Sequence, residues 1–277
     1  DRFDGENGNE TGITVLPPET YINLTVLTTG ETSSISHVMD LIAGIGKVTL
    51  ESQDSIQTAR EAYVALPETL QPYVTNYSSL TAAEAEYQTL YAVFSLISEI
   101  GEVTYSKADI IEQARIAYDA LSVEQRKEIT NYQDLLEAEK ILTELIADIN
   151  SVEQQISEIG TVTLSKEKII EASRQAYDSL PEDSKKGVTN YKDLVNAERT
   201  LDALKKEIDD VIASINAIGE VTYAKSSVIQ MTREAYTALT EEQQGRVSNY
   251  QVLVDAEKLL NQLVEEICSV ESKIDAI

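Results

Sequence analysis

The stretch Tyr132–Ile159, YQDLLEAEKILTELIADINSVEQQISEI, decides how the rest of the chain is read. Its residues Leu135, Ala138, Leu142, Leu145, Ile149, Val152, Ile156 and Ile159 follow alternating steps of three and four, the spacing of one apolar stripe on an unbroken helix. Neither Pro nor Gly interrupts it. Adding 59 to each number gives Leu194, Ala197, Leu201, Leu204, Ile208, Val211, Ile215 and Ile218, and adding 59 again gives Leu253 through Ile277 in the same types. Such agreement over three copies is an internal repeat, and that periodicity outranks total length as a guide to fold.

Working outward, each copy follows one grammar. Ile-Gly closes a long helix at Ile45-Gly46, Ile100-Gly101, Ile159-Gly160 and Ile218-Gly219, where glycine supplies the left-handed residue past a helix end. A Val-Thr step follows, then a serine (Ser52, Ser106, Ser165, Ser226) placed to cap the next helix. That second helix carries, in one copy, Ile110, Ala114, Ala117, Tyr118 and Leu121 at helical spacing. A short polar turn comes next, as in Ser122-Val123-Glu124-Gln125 or Thr240-Glu241-Glu242-Gln243, with Pro67 or Pro181 opening it in the other two copies. The copy closes with Thr/Ser-Asn-Tyr at 75–77, 130–132, 189–191 and 248–250, where Thr or Asn is placed to cap the next long helix.

The front half of each long stripe faces the helices before it and the back half those after it, so one helix serves two bundles. The expected fold is all-α: spectrin-like tandem three-helix bundles that share long continuous helices, behind a short β-like N-terminal leader. The expected boundaries are a leader over 1–32 and helical repeats over 33–91, 92–150, 151–209 and 210–277, the last including the start of a further helix. In the leader, Ile13–Val15 and Tyr21–Val26 alternate apolar and polar around Pro17-Pro18, as two strands of a hairpin would. The first helix is expected to start near Ser33 or Ser34, with Ile35, Val38, Ile42 and Ile45 as its half-stripe. Between Glu84 and Ile100 the chain is four residues shorter than in the later copies, so the first shared helix should be one turn shorter, filled by Tyr87, Leu90, Phe94 and Ile97.

Composition narrows the function. With 48 acidic against 22 basic residues and a net charge of −26, no clustered cationic surface is available for phosphates, which argues against nucleic acid as a partner. No run of about 18 apolar residues reads as a membrane span, and no signal peptide is present. The chain is therefore either cytosolic or an internal fragment, and its stop at Ile277, where the next Ile-Gly end would fall, favours the fragment. One cysteine, Cys268, excludes an internal disulfide and any CxxC site; its equivalents Asn150 and Asp209 are polar, which puts the thiol on the solvent side. The acidic run Asp4–Glu10 lacks the ligand spacing and closing Glu of a calcium loop and reads as linker. Asn23-Leu24-Thr25 matches a glycosylation acceptor, a triplet common by chance. The lone histidine, His37, has no catalytic partner at motif spacing. No nucleophile and base pair, metal-ligand cluster, phosphate loop or cofactor motif stands out of the repeat, so the chain is not expected to be an enzyme, to hold a metal or to carry a cofactor.

Four arginines (60, 115, 174, 233) and four glutamates (84, 139, 198, 257) recur with the core pattern, and are read as pairs joining the second and third helices of each bundle. Eight of the 14 tyrosines also sit at repeat positions and read as core, leaving Tyr73, Tyr91, Tyr105 and Tyr223 as better contact residues. Apolar residues on otherwise polar faces are the remaining lead. Ile116 stands where the other copies have Glu61, Gln175 and Glu234, and Met231 where they have Thr58, Gln113 and Ala172. These two are the candidate binding residues.

The string Ile100-Gly101-Glu102-Val103-Thr104, then Ala114-Arg115-Ile116-Ala117-Tyr118, Ile129-Thr130-Asn131-Tyr132 and Ala138-Glu139, resembles tandem helical modules of wall-attached or secreted proteins of Gram-positive gut bacteria. The resemblance covers about residues 33–277. It implies an extracellular, monomeric rod. Such modules occur in adhesins, in large secreted enzymes and in immunoglobulin-binding, B-cell superantigen-like proteins, so the resemblance implies a host protein partner, with immunoglobulin the sharpest match. The alternative is a passive stalk that presents another domain.

Overall fold

A computed structural model describes residues 27–277. The stretches expected as leader strands, the acidic run and Asn23 lie outside the described residues. Within them the chain is all-α: no strand occurs, and eleven α-helices follow one another. These are α1 (Thr29–Gly44), α2 (Gln53–Ala65), α3 (Tyr77–Ile100), α4 (Ala108–Asp119), α5 (Val123–Arg126), α6 (Tyr132–Ile159), α7 (Glu167–Ser179), α8 (Tyr191–Asn216), α9 (Ser226–Ala238), α10 (Glu241–Gln244) and α11 (Tyr250–Asp275). The chain divides into two compact units. One extends to Val93 and takes in 123–129; the other comprises 94–122 and 130–277.

In the first unit α1 begins at Thr29, earlier than the expected Ser33 or Ser34. Thr28 and Glu31 form a reciprocal cap: Glu31 N–H donates to Thr28 Oγ1 at 3.2 Å, and Thr28 N–H donates to Glu31 Oε2 at 2.7 Å. That Thr-x-x-Glu pattern satisfies two orphan amides of the first turn, more than a lone serine can. Ile35, Val38 and Ile42 are buried as expected, and α2 packs on α1.

In the second unit α6 is one unbroken helix of 28 residues. Leu135, Ala138, Ile149, Val152, Ile156 and Ile159 are buried, whereas Leu142 and Leu145 at its middle are half-buried. A single hydrophobic cluster explains this. It takes Ile149 to Ile159 from the back of α6, Leu164, Ile170 and Leu180 from the segment around α7, and Leu194, Ala197 and Leu201 from the front of α8. It then continues through Ile208, Val211 and Ile215 at the back of α8 to Ile229, Leu239, Val247 and Leu253. Both ends of α8 are thus buried, with α7 beside its front and α9 beside its back. A fully buried leucine such as Leu194 contributes about 2–5 kcal/mol against alanine.

The first long helix, α3, has 24 residues against 28 in α6, the difference of one turn expected from the spacing. Its buried stripe is Leu90, Val93, Ile97 and Ile100; Tyr87 and Phe94, expected in that stripe, are half-buried beside it. In α4 the buried residues are Ile111, Ala114 and Tyr118, so Ile111 and not Ile110 continues the stripe. A three-four-three step from 111 to 121 keeps one side of the helix, which 110 leaves by about 100°.

Local caps also differ from expectation. The Thr of each Val-Thr step, not the following serine, stands at the N-cap of a short 3-10 turn that leads into the second helix: Thr49 before Leu50–Ser52, Thr104 before Tyr105–Lys107, Thr163 before Leu164–Lys166 and Thr222 before Tyr223–Lys225. The Ser52 hydroxyl accepts no N–H of α2 and instead accepts from Thr49 N–H at 2.9 Å. The asparagines of the closing triplet do not cap the long helices either. Each Nδ2 donates to a carbonyl of the long helix before it: Asn76 to Met39 O, Asn131 to Phe94 O, Asn190 to Glu153 O and Asn249 to Ile212 O, at 2.8–2.9 Å. The residue thus ties the start of one long helix to the back of its predecessor.

The glycines after the long helices have φ between +56° and +61°, as a helix end requires. At Gly160 ψ is −134°, outside the left-handed helical region and in the extended mirror-image region that only glycine enters freely.

Candidate functional site

Each second helix carries one side on which an arginine and a tyrosine recur and a solvent side that varies. On the inner side the recurring arginine meets its glutamate through two parallel hydrogen bonds. Arg115 Nε and one terminal nitrogen donate to the two oxygens of Glu139 at 2.6 and 2.7 Å, and Arg60–Glu84, Arg174–Glu198 and Arg233–Glu257 repeat the geometry. The other terminal nitrogen donates to the hydroxyl of Tyr77, Tyr132, Tyr191 or Tyr250. Each of those rings stacks on the tyrosine of the second helix, with centroids 4.3 Å apart for Tyr63–Tyr77 and 4.1 Å for Tyr118–Tyr132. The guanidinium carbon lies 5.4 Å from the Tyr132 centroid, within reach of a cation–π contact.

The pairing raises each guanidinium pKa above its ordinary value, through the glutamate first and with help from the tyrosine hydroxyl. The guanidinium thus stays charged, and its donors are taken up by the glutamate and the tyrosine hydroxyl. The tyrosines expected as core form the edge of it: Tyr118 is buried, whereas Tyr63, Tyr177 and Tyr236 are half-buried. The expected link between second and third helices is present in all four copies.

The outer side of the same helices holds the candidate binding residues. Ile116 on α4 is 63% exposed and Met231 on α9 is 67% exposed. They occupy different copies, but their repeat positions lie three residues apart, one turn along the same side of the helix. Met231 lines a shallow groove with Val228, Thr232 and Ala235 of α9 and Ser214 and Ala217 at the end of α8. Further exposed apolar residues extend the set: Val64 beyond the Ile116 position on α2, Val123 at the start of α5 and Val252 on α11. The same signal marks them in the sequence. Val64 corresponds to Asp119, Asp178 and Thr237, Val123 to Glu68, Glu182 and Glu241, and Val252 to Ser79, Asp134 and Asp193.

Among the tyrosines set aside for contacts, Tyr73, Tyr91 and Tyr223 are exposed, but Tyr105 packs on the hydrophobic cluster. His37 and Cys268 are exposed. Among the described residues no group of three His, Cys, Asp or Glu side chains is placed to hold a metal ion, and no helix is long and apolar enough to cross a membrane.

Two grooves recur at one place in the grammar. The first is lined by Ile97, Ser98, Gly101, Asp134 and Ala138; the second by Ile156, Ser157, Gly160, Asp193 and Ala197, the same positions 59 residues on. A hollow that follows the repeat is a product of how the helix end meets the next long helix.

Comparison of the chain with protein-family models, with curated proteins and with solved structures returns no match.

Proposed function

We propose that this chain is a non-enzymatic segment of an extracellular bacterial surface protein, wall-attached or secreted, whose tandem three-helix bundles share long helices in the spectrin manner and bind a host protein, with immunoglobulin as the first partner to test. The observation that carries the reading is the division of labour on the second helix. Its Arg–Glu–Tyr side repeats in four copies, which is what a scaffold requires, while its solvent side changes from Glu61 to Ile116, Gln175 and Glu234 and from Thr58 to Met231. An apolar residue that a soluble fold does not need, placed on a rigid helix face, is the ordinary starting point of a helix-face interface. Linked copies would add avidity to a weak single contact.

The passive-stalk reading draws on a different observation, the polar ties between successive copies. In the second unit Ser106 N–H donates to Asp183 at 2.6 Å and Leu164 N–H to Glu242 at 3.1 Å, which would hold neighbours at fixed spacing.

A serum pull-down with the intact chain, the Ile116→Glu variant and the Met231→Thr variant separates the two. The binding reading expects a retained protein, immunoglobulin first, that is lost in one or both variants while helicity is unchanged. Retention of nothing by the intact chain, or of the same protein by all three, removes the second-helix face from the account.

A further inference from the structure

Five times the chain carries an apolar half-stripe at the back of a long helix. Ile35-Val38-Ile42-Ile45, Leu90-Val93-Ile97-Ile100, Ile149-Val152-Ile156-Ile159 and Ile208-Val211-Ile215-Ile218 are all buried. The fifth, Ile267-Val270-Ile274-Ile277 on and just past α11, is open, with Val270 54% and Ile274 62% exposed. What covers the buried copies is the helix–turn–helix that follows: α7 lies on α6 and α9 lies on α8.

The polar frame of that cover is also in place. Asn190 and Asn249 donate to Glu153 O and Ile212 O, and the corresponding carbonyl on α11 is that of Glu271.

One position specifies the cover further. Tyr105, in the 3-10 turn before α4, lies over Gly187 of the next copy: a Cβ on Gly187 would stand 2.9 Å from the Tyr105 ring and 2.8 Å from Ile149 Cδ1. Tyr223 and Ile267 are the same two positions 118 residues on, and Tyr223 is 57% exposed. Where the facing residue is instead arginine, Arg246, the turn carries a buried leucine, Leu164, and the guanidinium reaches Leu164 O and Glu167. Of these two seams one sets tyrosine against glycine and the other leucine against arginine, while Leu50 and Glu128 stand at the corresponding positions of the first unit.

We propose that Tyr223 and the open half-stripe of α11 form a docking surface for a further helix–turn–helix module of this same grammar, with a glycine under the Tyr223 ring and an asparagine donating to Glu271 O. This rests on the tandem-module reading above. A second copy of the chain is the weaker occupant, because each of its modules already covers a stripe of its own and would uncover that one to move.

The test extends the full chain past Ile277 with residues 160–204, so that Ile277 meets Gly160 as Ile159 does, or with residues 219–263, which bring Arg246 to Tyr223. Hydrogen exchange over 267–277 should slow by at least about tenfold with the first extension and less with the second. Tyr223→Leu should reverse that order, and Gly187→Arg within the first extension should weaken its protection. Unchanged exchange over 267–277 with the first extension, or protection indifferent to the residue facing Tyr223, overturns the proposal. Protection that rises with concentration in the unextended chain gives the face to a second copy and overturns it too. Fast exchange over 149–159 and 208–218 in the unextended chain would instead sink the tandem-module reading itself.

Discussion

Arg115 and Glu139, 24 residues apart on α4 and α6, meet through two parallel hydrogen bonds, with about a quarter of each side chain open to solvent. The geometry matches the fork of a guanidinium to a carboxylate, and Tyr132 takes a further donor. Arg115→Ala should lower stability by about 1.5–3 kcal/mol, because it leaves a charged acceptor at the core edge without its donors. Arg115→Lys should fall nearly as far, since an ammonium cannot span both oxygens. Urea unfolding of both, with Glu139→Gln completing a double-mutant cycle, measures the coupling; a cycle that closes near zero would make the pair decorative.

Gly160 separates backbone strain from steric contact. Nothing lies within 4 Å of the place a Cβ would take, yet φ is +59° with ψ −134°. Gly160→Ala should therefore cost about 1–3 kcal/mol through conformation alone. Gly187→Ala should also destabilise, but through contact with Tyr105 and Ile149, and a smaller residue at 105 should relieve it, whereas no neighbouring substitution should rescue Gly160→Ala.

Acid should loosen one turn before the rest. Lys186 first, and then the Ser106 amide, hold the Asp183 carboxyl well below its ordinary pKa. A group whose folded pKa lies below the unfolded one contributes its stability above the unfolded value and loses it as pH falls through the folded one. The stability that Asp183 contributes should thus be complete above about pH 4 and decline below it, with the contact to Ser106 persisting until pH falls to the depressed folded value. The Ser106 amide, followed by NMR exchange from pH 5 down through that folded value, should stay protected near pH 4 and open only at the acid end, and Asp183→Asn should remove the pH dependence at that amide.

Ser184 is fully buried and its Oγ finds no hydrogen-bond partner among the described residues. The equivalent residue in the first copy is Leu70. Ser184→Ala should raise stability by about 1 kcal/mol, since it removes a buried hydroxyl that nothing compensates. A loss of stability in urea would mean that an ordered partner occupies the site.

What the sequence made legible was whatever repeated. The stripe from Leu135 to Ile159 located an unbroken helix, the missing turn before Ile100 gave α3 its length, and the Arg–Glu pairing followed from recurrence at fixed spacing. Choices between neighbours were not legible. Thr49 rather than Ser52 caps, Ile111 rather than Ile110 packs, and Asn131 reaches back to Phe94 O instead of capping α6, because these outcomes depend on where the preceding helix lies. Tyr105 looked free for contact because its glycine partner sits 82 residues away. The outer-face residues were visible only as departures from the repeat, and Val64, Val123 and Val252 departed as plainly as Ile116 did.

The matching of Tyr105 to Gly187 and of Leu164 to Arg246 bears on how such a chain changes in length. Loss of the block Gly160–Ile218 by recombination joins Ile159 to Gly219 in frame, and the helix still ends on Ile-Gly. The tyrosine is then set against Arg246, a side chain it has not been fitted to. The two seams of the second unit are thereby distinct, although the blocks that meet there are equal in length.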